Sequence, residues 1–135
     1  MAKEMRSVAA VYFDRFNHRE LELNSPVPSN LELIVVIPSH NEPDLLGSLQ
    51  SLKDAFVPIG VSVEVITVIN HGVNTDSDIV EQNEKTVVQA NQFSLKNNCE
   101  SITFKTLEVF DMPPKKAGVG LARKIGMDEA LNRFS

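Results

Sequence analysis

Apolar positions change period several times along this chain, and each change marks an element. From 31 to 37, Leu-Glu-Leu-Ile-Val-Val-Ile is a short, β-branched run that stops at Pro38. A polar turn follows, and then Leu45, Leu49, Leu52 and Phe56 recur at helical spacing. This is the pattern of a buried strand over 31–37 that hands a polar tip to a helix over 42–56. The alternation repeats twice. Ser62 to Ile69 reads as a second strand, and a polar loop from Asn70 to Asp76 leads to a helix over 77–97, with Thr75 and Asp78 at capping-box spacing. Ser101 to Val109 reads as a third strand. After a Pro-rich loop with two lysines comes a helix over 119–133, striped by Ala122, Ile125, Ala130 and Phe134.

Upstream, Met5, Val8, Ala9, Tyr12, Phe13 and Phe16 fit an amphipathic helix within residues 5–23. Asn-Ser-Pro-Val-Pro-Ser-Asn at 24–30 then breaks structure. The chain therefore divides into a helix and linker over 1–30 and an α/β unit over 31–135. Strands alternating with helices imply a parallel sheet with right-handed crossovers. The expected fold is α/β, a Rossmann-like three-layer sandwich with a mainly parallel sheet in strand order 3-2-1. That order leaves one side of the first strand open, and uncovered strand edges are disfavoured. A fourth strand beyond the last helix, in a longer parent chain, is the expected partner.

Bulk properties narrow the classes. A length of 135 residues, 42% hydrophobic and 23% charged, suits one domain with a real core. A formal net charge of −5 argues against broad nucleic-acid binding. The lone Cys99 offers neither a disulfide framework nor a metal cluster and is expected as a free thiol near a strand start, which fits a reducing, cytoplasmic compartment. No apolar run approaches the ~20 residues that cross a bilayer, so membrane association would have to come from other parts of a parent. No signal-like apolar core follows the N-terminus.

The familiar phosphate motifs fail. Gly118-Val-Gly120 is followed by Arg123 where a dinucleotide fingerprint wants Gly or Ala. P-loop, nucleophile-elbow and paired His/Cys metal spacings are absent from the sequence. What remains is Pro38-Ser39-His40-Asn41-Glu42, then Asn70-His71-Gly72 with Thr75-Asp76, then Gly118 to Gly126 with Arg123 and Lys124. In a parallel sheet these clusters share the carboxyl rim, where such folds bind ligands, and helix N-termini there favour anions. Each also has a local reading. Ser39-x-x-Glu42 has capping-box spacing, His40 and Asn70 suit turns, Lys115 and Lys116 a solvated loop, and Asp76-Ser77-Asp78 a helix cap.

Taken in order and spacing, the three clusters resemble the motifs of inverting family-2 glycosyltransferases with the GT-A fold: Val-Ile-Pro-Thr-Tyr-Asn-Glu, Val-Asp-Asp-Gly-Ser-Thr-Asp and Gly-x-x-x-Ala-Arg-Asn-x-Gly. The likeness covers about residues 31 to 134. It implies a nucleotide-sugar donor site, with a UDP-sugar favoured, built from Pro38, Ser39, His40, Asn41, Glu42, Asn70, Gly72, Lys116 and Arg123. His40 would stand where the family often stacks a tyrosine on uracil, Glu42 near the ribose, Arg123 facing the base, and Lys115 and Lys116 near the diphosphate. Asn70 departs from the family's aspartate, but its amide still offers an acceptor to uracil N3–H.

The resemblance further implies sugar transfer to a carbohydrate or other hydroxyl acceptor with inversion, assisted by Mg²⁺ or Mn²⁺. The family's Asp-x-Asp motif and catalytic base come after a fourth strand. No metal ligand or catalytic residue is therefore assigned within these residues, and the chain alone is expected to be inactive. The other class kept open is a non-catalytic Rossmann-like nucleotide-binding or interaction module, which the departures at His40 and Asn70 favour.

Overall fold

A computed structural model describes residues 19–55, 57–113 and 119–134. Six elements follow in order: β1 (Leu31–Ser39), α1 (Leu45–Asp54), β2 (Ser62–Gly72), α2 (Ser77–Asn97), β3 (Ile102–Met112) and α3 (Val119–Phe134). The sheet has three strands in the order β1-β2-β3, both pairs parallel, with Val36 opposite Ile66 and Val65 opposite Phe104. The fold is thus α/β and Rossmann-like. Alternation along the strands sends residues to two separate cores. Val65, Ile69, Ile102 and Phe104 meet Leu45 and Leu49 of α1 and Val87 and Ala90 of α2. On the other face, Ile66, Val68, Leu107 and Val109 meet Ala122, Ile125 and Ala130 of α3. α3 packs across β1 and β2 on the face opposite to α1 and α2.

All three strands outrun their expected ends. Pro38 does not stop β1, because an edge strand tolerates a missing N–H; it pairs with Val68, and Ser39 with Ile69. Among the described residues β1 pairs with β2 alone. The expected capping boxes do not form. Residues before a proline avoid the α region, so Glu42 ahead of Pro43 is not helical, and α1 starts at Leu45 under an Asp44 cap that accepts from Gly47 N at 3.2 Å. Glu42 instead accepts from Asp44 N at 2.8 Å, while Ser39 ends the strand. Thr75 Oγ1 donates to Gly72 O at 2.7 Å, and Asp76 occupies the α2 cap position without a side-chain cap bond. Phe134, read as part of the α3 stripe, is 53% exposed.

Residues 5–18 of the expected N-terminal helix lie outside the described residues. Residues 19–23 are not helical. Their N–H groups are taken by another element: Glu22 N and Leu23 N donate to the two carboxylate oxygens of Glu129 at 2.8 and 3.1 Å. Arg133 continues this strap. It donates to Leu23 O and Ser25 O at 3.3 and 3.0 Å, and pairs with Glu64 of β2, Nη2 to Oε2 at 2.7 Å and Nε to Oε1. Both charges are almost fully buried. Lys105 of β3 adds a bond to Ser25 Oγ at 2.8 Å, and burial, reinforced by Arg133 and opposed by Glu64, holds its pKa below the usual lysine range.

Gly126 explains one glycine of the third cluster. A Cβ there would overlap Val36 Cγ1 and lie 2.9 Å from Val68 Cγ2. Gly126→Ala gains up to about 1 kcal/mol of helix propensity, but it forces α3 off the sheet. A net loss of about 1–3 kcal/mol is expected from such overpacking, read as a lower urea midpoint. Among the described residues, no helix is long and apolar enough to cross a membrane.

Candidate functional site

The tips of β1 and β2 are tied into one surface. His40 Nδ1 donates to Asn70 O at 2.8 Å. Asn70 Nδ2 donates back to Ser39 O at 2.9 Å and to Val68 O at 3.1 Å. Asn41, at φ 50, turns the chain away from β1 in the left-handed region that Asn tolerates. Its N–H donates to Asn83 Oδ1 of α2 at 2.9 Å. The Asn83 amide nitrogen donates to Asn70 O and to His71 Nδ1, each at 2.9 Å. His71 is stacked on Phe110 of β3, centroids 4.2 Å apart and planes 15° apart.

The two imidazoles are set in opposite tautomers. His40 faces a carbonyl, so its Nδ1 carries hydrogen, on an exposed ring. His71 faces an amide N–H, so in the neutral ring the proton sits on Nε2. Burial, with a smaller push from the nearby His40, lowers the His71 pKa; Glu84 opposes.

The sequence-derived site residues are placed unevenly. Pro38 is half-buried, His40, Asn41 and Glu42 are exposed, and Ser39 is buried with a hydroxyl that has no hydrogen-bond partner among the described residues. Glu42 O lies 3.4 Å from Thr86 Oγ1. Asn70 is 1% exposed, and its amide nitrogen is committed to backbone. Gly72 ends β2. Arg123 is exposed on α3, and among the described residues no hydrogen bond or ion pair joins it to the strand tips. Lys115, Lys116 and Gly118 lie outside the described residues. Sequence reasoning passed over Asn83 and Phe110. The signal for Asn83 was an amide on the buried stripe it shares with Thr86, Val87 and Ala90.

Among the described residues no three His, Cys, Asp or Glu side chains are grouped to hold a metal ion. A cavity of about 280 Å³ lies beside the carboxyl end of β3, between the strap and α3, with Leu21, Met112, Leu121 and Ile125 in its walls. Cys99 precedes β3, at the opposite end of the sheet from the rim, as an exposed free thiol. Hydrogen bonds, first from Ser101 and last from Lys53, lower its pKa to about 7. Comparison with protein-family models, curated proteins and solved structures gives no significant match.

Proposed function

We propose that the β1–β2 rim is the base-binding half of a nucleotide-sugar site, with a UDP-sugar as donor, in a glycosyltransferase that acts with inversion on a carbohydrate or other hydroxyl acceptor. One observation carries the reading: His40, Asn70 and Asn83 join the first and second motif clusters into a single surface at the carboxyl ends of the strands. Doubly wound sheets bind nucleotides at such a place. The exposed His40 ring supplies a stacking plane. Mg²⁺ or Mn²⁺, as the resemblance implies, would supply positive charge to offset the donor diphosphate. The described residues offer no grouping for it, so its ligands, like the catalytic base, are not assigned to them.

A second reading, a non-catalytic nucleotide-binding or interaction module, is favoured by Asn70. With its amide turned onto Ser39 O and Val68 O, Asn70 must be released before its side chain meets a base. Calorimetric titration with UDP, CDP, GDP and ADP separates the two. Weak binding that prefers UDP supports the donor site. Removing one stacking partner costs about 1–3 kcal/mol, so His40→Ala is expected to weaken UDP binding by about tenfold or more. No preference for UDP, or an unaltered affinity in His40→Ala, would favour the module.

A further inference from the structure

We propose that Asn83 is the residue that positions the turn at the β1 tip, and that protonation of His71 releases it, so that the rim is opened by acid. The inference concerns the same surface as the nucleotide reading but rests only on hydrogen-bond polarity.

Three neighbours of known polarity fix the Asn83 amide. The Asn41 N–H can only donate, so the atom it meets is Oδ1. The Asn70 carbonyl can only accept, so the atom it meets is Nδ2. The remaining Nδ2 hydrogen must then find a lone pair, and His71 Nδ1 provides it. A charged imidazole carries hydrogen on both nitrogens. Protonation therefore sets N–H against N–H at this contact. Flipping the amide does not rescue the set, because it turns NH₂ onto the Asn41 N–H and oxygen onto the Asn70 carbonyl. His71 cannot accept a proton and keep all three bonds, and the amide whose Nδ2 contact it strains also holds, through Oδ1, the turn at Asn41, already in the left-handed region.

The surroundings oppose the charge. The titratable groups acting on His71 are His40 from the turn after β1, which disfavours protonation, and Glu84 from α2, which favours it less strongly than burial opposes it. β3 contributes the Phe110 ring. With the folded pKa below the ordinary value of about 6.5, the unfolded chain binds more protons between those two values. Stability is therefore lost as pH falls through that window, and the loss is complete below the folded value.

The test is a pH titration of the chain by NMR, following the histidine ring nitrogens and the Asn41 amide. At neutral pH, His71 is expected with its proton on Nε2 and His40 with its proton on Nδ1, and the Asn41 amide should shift in step with the His71 ring. Asn83→Asp supplies an acceptor to both Asn41 N and a protonated His71, and should raise the His71 midpoint by about one pH unit or more. A His71 proton on Nδ1, an Asn41 amide that ignores the His71 titration, or an unmoved midpoint in Asn83→Asp would overturn the proposal. The wild-type measurement decides it if the variant does not fold. No nucleotide is needed, so failure of UDP to bind leaves this result unaffected.

Discussion

Arg133→Met is expected to cost about 3–5 kcal/mol of folding stability, because it leaves the Glu64 carboxylate buried without its partner. Glu64 is 1% exposed near the start of β2, on the face packed by α3, and Arg133 grips both of its oxygens. The attraction in the pair is not the source of this figure; desolvation of the orphaned charge is. Glu64→Met combined with Arg133→Met should therefore recover most of the loss, since a well-packed apolar pair is often as stable as a buried ion pair. The strap should stay loosened in both variants, because the carbonyls of Leu23 and Ser25 lose the same guanidinium. Urea unfolding measures the first effect. Faster tryptic cleavage after Arg19 measures the second. A double variant as unstable as the single one would show that the cost lies in packing and not in charge.

Asn83→Ala is expected to be the next most damaging change, at about 2–3 kcal/mol, since a buried polar group left without its partner costs about 1–3 kcal/mol. The Asn70 carbonyl keeps the bond from His40, and the exposed Asn41 N–H can turn to water, so the loss falls mainly on His71 Nδ1 and on the space vacated in a fully buried position. Two readouts are expected to diverge. The urea midpoint falls, and hydrogen exchange of the Asn41 amide accelerates beyond what the global loss explains. Uniform acceleration across the sheet would mean that Asn83 serves the core alone.

The sheet was readable from the sequence because its information is local. β-branched runs, turn residues and helical stripes placed three strands and three helices in order, and helix α2 at 77–97 to the residue. What escaped reading depends on contacts across the chain. Glu129 reaches Leu23 over 106 positions and Arg133 reaches Ser25 over 108, so nothing near residue 24 announces that a Pro-rich stretch is strapped to a helix. Nothing near Glu64 in the sequence marks it as a buried charge, because its partner lies 69 positions away. Among site residues, the sequence puts His40 and Asn70 on one rim, and in the structure His40 Nδ1 donates to Asn70 O. It did not reveal that Asn70 turns inward, since an Asn beside a strand end can face either the ligand or the next strand. Capping failed where a proline competed: Ser39-x-x-Glu42 has the right spacing, but Pro43 moves the helix start to Leu45.

Binding of a nucleotide at the joined tips of β1 and β2 is tested most directly by proton–nitrogen correlation spectra of the labelled chain during a UDP titration. Binding at this rim predicts shifts grouped at Ser39, His40, Asn41, Asn70 and Gly72, with Arg123 joining them from α3. No shifts at millimolar UDP, or shifts grouped instead at Leu21, Met112 and Leu121 around the strap cavity, would contradict it.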